Sequence, residues 1–290
     1  MKIAHLILAH SAPLQLERLI DRLTHENAYF FIHIDEKISI HSFNFLAAKQ
    51  RVYFIKERVK VNWGAYSIVQ ATINGFKEIA KSGLGIDYVN LLSGSDYPLK
   101  STEEIHAYFT EHSGQNFMQY QLVNEEWHEA IPRLQKYHLT NYSFPGRYVV
   151  QNLINRLTAD RIMPDNLVAV GRSQWMSITM EAVNYILHYL ETHQQVVRFF
   201  KFTWAPDEII FQTILYNSDF RGSLVNDNLR YIDWSAGKAS PKNLVEEDLE
   251  KLIVSNKLFA RKFEFSTQTG IIDRLDERIQ KPEMTDDNEI

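Results

Sequence analysis

The 290-residue sequence contains no cysteine, which excludes disulfides, thiolate metal sites and a cysteine nucleophile and fits a reducing compartment. No apolar run approaches the roughly 20 residues of a membrane span. The N-terminus enters a strand-like stretch interrupted by His5 and His10, with no small-residue cleavage site after it, a pattern unlike a secretory signal. Positive charge is not in excess: 31 Lys and Arg stand against 36 Asp and Glu, for a net charge of −5. That balance excludes an electrostatic grip on nucleic acid. Several motifs are absent as well. No Asp-x-Asp triplet, His-Glu-x-x-His, Walker-type glycine loop or Gly-x-Gly-x-x-Gly occurs. The nearest acidic pattern, Asp273-Arg274-Leu275-Asp276, falls on a predicted surface helix. Any diphosphate bound here would therefore be neutralised by protein cations. The chain reads as soluble and cytoplasmic, with peripheral attachment to the inner face of a membrane left open.

What is present is a large apolar fraction, 45%, enough for one large core or two smaller ones, and three short apolar runs that break into polar residues at one end. They are Ile3–His10, Tyr29–Asp35 and Tyr88–Asp96. Buried strands between helices, with functional groups at their carboxyl ends, are how an open α/β sheet makes a ligand crevice; Asp35 and Asp96 would hang over one site. A helical face is predicted over Pro13–His25, with Leu16, Leu19 and Ile20, and a longer one over Trp63–Ala80, stopped at Ser82-Gly83-Leu84-Gly85. Arg51–Ile55 is predicted as a strand, and Ser101 with Glu104 forms a capping box. Residues 120–165 mix aromatics, cations and scattered proline, with one predicted helix at Val149–Leu157, and read as an insertion carrying acceptor contacts or a lid. Beyond it come a strand at Gly171–Thr179, helices at Met180–Thr192, Asp207–Asn217 and Val245–Val254, a strand at Leu229–Trp234, and a polar, frayed tail at 281–290.

Two segments could carry chemistry. In Trp204-Ala205-Pro206-Asp207-Glu208, proline before an acidic pair places two carboxylates in a helix's first turn. Two readings fit: both serve the helix dipole, with Asp207 as N-cap, or one caps while the other projects as a general base. In Leu258–Glu264, Arg261 and Lys262 lie among apolar residues. On an extended segment they point to opposite sides, as a surface pair would; a turn would let both reach one phosphate, Arg through its planar fork and Lys as a point charge. Histidines such as His5, His10 and His33 read as hydrogen-bonded residues at strand ends.

In order along the chain, Leu8-Ala9-His10, Phe31–Lys37, Asn62-Trp63-Gly64, Asn90–Lys100, Gly171-Arg172-Ser173-Gln174-Trp175, Pro206-Asp207-Glu208 and Leu258–Phe263 resemble the core-2/I-branching β-1,6-N-acetylglucosaminyltransferase family, which includes the peptide O-xylosyltransferases. The resemblance implies a GT-A-like fold: an α/β open twisted mixed sheet flanked by helices, with a Rossmann-like nucleotide-binding half at 1–119 and an acceptor and catalytic half at 120–280, together one domain over 1–280. It implies inverting, metal-independent transfer from a UDP-sugar to a glycan or glycolipid acceptor by a soluble, bacterial-type member, with GlcNAc the first choice of sugar and no cofactor. Glu208 matches the catalytic base. Ala9, His10 and Asp35 match the uridine pocket, Trp63 and Asp96 the donor wall, and Arg261 and Lys262 the diphosphate site. Gln174, Trp175, Asp207, Arg230 and Trp234 fall on the substrate side; Arg230, Lys238 and Lys242 compete as a second basic residue. The Ala-Arg-Lys form of the last motif is closer to the xylosyltransferases, which makes UDP-xylose the alternative donor. A glycan-binding protein without transfer, or a hydrolase with two acids about 5–10 Å apart, are the readings from other classes.

Overall fold

A computed structural model describes residues 1–264 and 269–280. The strands are β1 (Ile3–Ala9), β2 (Ala28–Ile34), β3 (Val52–Phe54), β4 (Tyr88–Ser93), β5 (Tyr97–Pro98), β6 (Asn116–Leu122), β7 (Val170–Thr179), β8 (Leu224–Val225), β9 (Arg230–Ile232) and β10 (Phe259–Arg261). The helices are α1 (Pro13–Arg22), α2 (Tyr66–Lys81), α3 (Thr102–Glu111), α4 (Ile131–Gln135), α5 (Arg147–Leu157), α6 (Met180–Thr192), α7 (Gln194–Phe200), α8 (Ile210–Tyr216), α9 (Leu249–Ile253) and α10 (Thr269–Gln280).

Seven strands form one sheet in the order β3-β2-β1-β4-β7-β6-β8. The first four are parallel, β7 is antiparallel to both β4 and β6, and β8 runs parallel to β6. This is the expected α/β mixed sheet, and strands from both predicted halves share it. Side chains alternate between its faces. From β1, Ala4 and Leu6 join Val69 and Phe76 of α2, Ile186 of α6 and Phe211 of α8. Ile3, Ile7 and Ala9 face the other way, against Leu16 and Leu19 of α1, Ile105 and Phe109 of α3 and Ile271 of α10. Helices therefore cover both faces, which is why β1 and β4 read as almost unbroken apolar runs. A second sheet, β5-β10-β9, sits beside the first.

Several predicted elements change in detail. The strand at Arg51–Ile55 is three residues, Val52–Phe54. The helix predicted from Trp63 begins at Tyr66, because Gly64 turns the chain at φ +67°. The helix predicted over Asp207–Asn217 is a 3₁₀ turn, Pro206–Glu208, and then α8, separated by Ile209 at φ −129°. Val245–Val254 divides likewise into a 3₁₀ turn and α9. Strand β6 went unpredicted, since its outer half, Gln119 to Leu122, is less buried than its inner half. The Ser101–Glu104 capping box forms as expected. The polar tail at 281–290 lies outside the described residues.

Candidate active site

The strand order reverses between β1 and β4: β1 leads outward to β2 and β3, and the chain then crosses back through α2 to β4. Ligands of open α/β sheets bind outside the strand carboxyl ends at such a switch point. Ala9 and Ser93 end the two strands there, and the Gly94 N–H donates to the Leu8 carbonyl at 3.1 Å. His10 follows, exposed. The Asp35 N–H donates to the Ala9 carbonyl at 2.9 Å. Asp35 is buried, and its carboxylate accepts from the Lys37 N–H at 2.9 Å and the Val61 N–H at 3.3 Å, with the Lys37 ammonium at 3.5 Å. Asp35 thus ties the segment at 59–61 to the end of β2 and sets the wall of the crevice.

Asp96 is fully buried three residues past the end of β4, where it accepts from the Ser93 N–H and hydroxyl, both at 3.0 Å. Its counter-charge comes from far along the chain. Strand β10 pairs antiparallel with β5, Ala260 opposite Tyr97, so Arg261 arrives beside Asp96, its Nε 3.4 Å from the carboxylate. The Arg261 guanidinium stacks 4.0 Å over the Trp175 ring. Burial pushes the Asp96 carboxyl up, opposed by Arg261, and lowers the Arg261 guanidinium, opposed by Asp96. Arg261 is only 14% exposed, and its buried Nε makes no hydrogen bond. The neighbouring Lys262 is half-buried, its carbonyl held by the Leu244 N–H at 2.8 Å. Arg261 is thus a cation built into the crevice wall rather than a surface charge.

Trp175 is buried in an irregular stretch of β7. Met118 pairs with Met176 and Tyr120 with Arg172, so Gln119 alone faces Ser173, Gln174 and Trp175. Bulges of this kind re-aim side chains and are common next to active sites. The Ser173 hydroxyl holds this one, accepting from the Trp175 N–H at 3.3 Å and the Asn228 amide at 3.0 Å. Because β7 is antiparallel to β4, this stretch, which precedes Ser177, lies toward the carboxyl ends of β1 and β4. Gln174 is half-buried there.

The carboxylate turn packs on the start of the same strand. A Cβ on Gly171 would stand 2.2 Å from the Glu208 carbonyl oxygen and 2.8 Å from Ile209 Cα, so only glycine admits the turn. Gly171→Ala is expected to cost about 3 kcal/mol by urea denaturation and to displace Glu208. On its other side the turn is tied to the Trp63-Gly64 segment. The Ala205 N–H donates to the Gly64 carbonyl at 2.9 Å, and Trp63, largely exposed, meets the Trp204 ring edge-on at 5.4 Å. Two motifs remote in sequence therefore form one substructure.

The two carboxylates of the turn differ. The Glu208 side chain is 31% exposed; one oxygen accepts from Arg133 Nη1 at 2.7 Å. The Arg133 guanidinium is itself held between Trp204, at 4.4 Å, and Trp127, at 4.8 Å. Burial raises the Glu208 carboxyl, with Arg133 opposing. Asp207 is buried, with one oxygen lacking any hydrogen bond, and burial together with neighbouring Glu208 pushes it up to about 7. Asp207 makes no capping hydrogen bond: it is a buried companion to Glu208, not the N-cap that its position suggested.

Arg230, expected on the substrate side, is built into the interior. It is 4% exposed. Its guanidinium donates to the Leu91 carbonyl at 2.8 Å, the Ser177 hydroxyl at 3.0 Å and the Met176 carbonyl at 3.2 Å, and also to Asn90 and the Asn228 carbonyl. It braces β4 against β7. Of its competitors as a second basic residue, Lys242 is paired with Asp248 at 2.7 Å, whereas Lys238 is exposed beyond Trp234, itself exposed. Sequence reasoning missed Arg133, Trp127 and Trp204. Trp204 adjoins the carboxylate motif and could have been found; nothing in the spacing marks Arg133.

Polar groups gathered at the carboxyl ends of parallel strands, around a topological switch point, define a ligand-binding α/β protein of the Rossmann-like class. The chain belongs to the Core-2/I-Branching enzyme family, whose model matches residues 3–259. Among similar proteins, xylosyltransferase 2 of Rattus norvegicus is 24% identical over 304 residues, covering 95% of this chain and 33% of that protein. Xylosyltransferase 2 of Canis lupus familiaris is 25% identical over the same shares, and a xylosyltransferase of Ciona intestinalis is 21% identical over 95% of this chain and 34% of that one. The chain thus spans about a third of the length of the curated relatives it matches. Mouse xyloside xylosyltransferase 1, in its apo form, aligns with a TM-score of 0.40 at 14% identity, over 89% of this chain and 97% of that one.

Proposed function

We propose that this chain is an inverting glycosyltransferase that moves a sugar from a UDP-sugar to a glycan hydroxyl without a metal ion. The observation that carries the reading is the pairing of unlike groups along one bulged strand. The Glu208 backbone packs on Gly171 and the Arg261 guanidinium on Trp175, and these two strand positions are four residues, at most about 14 Å, apart. In the proposed reaction, the free oxygen of Glu208 takes the proton of an acceptor hydroxyl. That hydroxyl oxygen attacks the anomeric carbon from the face opposite UDP; the new C–O bond forms as the bond to the diphosphate oxygen breaks. A single displacement converts an α-linked donor into a β-linked product. Arg261 and Lys262 offset the charge that builds on departing UDP. Family membership supports this reading, and Glu208 has the raised carboxyl and partial exposure that a general base needs.

The sugar is either GlcNAc or xylose. The relatives named xylosyltransferase and the Ala260-Arg261-Lys262 motif favour xylose. Calorimetric titration with UDP, UDP-GlcNAc and UDP-xylose, each with and without EDTA, tests donor and metal together. One UDP-sugar is expected to bind, with the same affinity in EDTA. Binding that requires Mn²⁺ would overturn the role given to the cation pair, and no binding of any of the three would overturn the transferase reading.

A further inference from the structure

Helix α5 (Arg147–Leu157) is built inside out. The residues it turns toward the protein include Gln151, which accepts from the Leu139 N–H at 2.9 Å, and Asn155, which accepts from the Tyr137 N–H at 2.7 Å and donates to the Tyr137 carbonyl at 2.9 Å. These two lie one helical turn apart and pin the helix through its polar side. The apolar stripe faces outward: Val149, Leu153 and Leu157, at i, i+4 and i+8, are 73, 55 and 75% exposed, and Tyr148 lies beside them at 64%. None of the eleven residues is buried. A helix of a water-soluble protein normally turns such a stripe to the core, and exposed apolar patches of this kind mark interaction sites. Phe144 before the helix and Ile162 after it, the latter 85% exposed, extend the patch.

Charge identifies the partner. Of the cations over residues 132–163, Arg133 is bound to Glu208, Lys136 to Asp160 and Arg161 to the carbonyls of Lys136 and Phe202, which leaves Arg147 and Arg156 beside the stripe, on a helix without an acid, in a chain whose net charge is −5. Arg156 is exposed on the helix, and Arg147 lines a shallow groove with Ser143, Phe144, Gly146, Tyr148 and Val149 at its start. Outward aliphatic and aromatic side chains flanked by arginine are the surface of a helix that lies in the plane of a bilayer interface, and local positive charge in an acidic protein points to anionic headgroups. We infer that α5 and its flanks are a docking surface for an anionic lipid bilayer. The helix would lie along the interface, its leucines among the acyl chain ends and Arg147 and Arg156 at headgroup level. The inference does not depend on the transferase reading, because neither the apolar stripe of α5 nor Arg147 and Arg156 belongs to the proposed catalytic site.

The test is co-sedimentation of the full chain with vesicles of phosphatidylcholine alone or mixed with phosphatidylglycerol. The chain is expected to pellet with the mixed vesicles and to be released as salt rises. The double substitution Leu153→Glu, Leu157→Glu is expected to weaken binding by about tenfold or more without changing the melting temperature or UDP-sugar binding, since both side chains already face water. Equal recovery in the supernatant with both vesicle types would overturn the inference. So would a wild-type dimer in light scattering that the double substitution splits, which would assign the face to a second copy of the chain.

Discussion

Glu208→Gln is expected to lower turnover by about 10²–10⁴-fold while leaving calorimetric binding of UDP close to that of the wild type. The amide keeps the size of the side chain but cannot accept the acceptor's proton, and Arg261 and Lys262 are untouched. A rate near that of the wild type would remove Glu208 from the reaction; loss of UDP binding would show that the substitution disturbed more than the base. The pH profile adds an independent readout. A base acts only when ionised, and burial holds the Glu208 carboxyl above its usual range, with buried Asp207 beside it pushed up to about 7. The rate should therefore climb with pH above the ordinary carboxylate range before it levels off. Residual activity of Glu208→Gln should lack that climb. Stability moves the other way. The folded turn retains protons that the unfolded chain releases, so the stability these carboxyls contribute is present in acid and is lost as pH rises through about 7.

Arg230→Met is expected to cost the fold about 3–5 kcal/mol, read from the midpoint of urea denaturation. Methionine fills part of the volume but leaves the carbonyls of Leu91 and Met176 without the guanidinium donor. A loss of donor binding with undiminished stability would instead return Arg230 to the ligand-contacting role that its sequence position suggested.

Those two residues mark what could and could not be read from the chain. The sheet was legible because β1, β2 and β4 are covered on both faces, and burial on both faces writes a continuous apolar run. Glu208 and Arg261 were legible as motifs: proline before an acidic pair, and adjacent cations among apolar neighbours. Arg230 shows that charge in a sequence is mute about burial: an arginine held by the carbonyls of Leu91, Met176 and Asn228 is spelled like one awaiting a phosphate. Arg133 was silent since its partner lies across the fold, at Glu208. The bulge at Ser173–Trp175 is likewise a property of strand pairing, visible only once β6 is set beside β7. Helix α5 is the reverse case. Its position was anticipated at Val149–Leu157, but its amphipathic pattern alone implies an apolar side turned inward, and only its hydrogen bonds to Tyr137 and Leu139 show the opposite orientation.

The pairing of β10 with β5 also bears on biosynthesis. Asp96 emerges from the ribosome early, yet the cation that faces it in the folded chain sits at position 261. Until that late strand slots between β5 and β9, the carboxylate can stay hydrated or protonated but cannot be sealed as an ion pair. A nascent chain exposes β1–β4 long before the crevice has its positive wall, and the core that Ile3 and Ile7 share with Phe259 and Ile271 closes no earlier. Chains interrupted before Arg261 would therefore lack this cation and the α10 side of the core together, which ties maturation of the site to arrival of the last strand and helix.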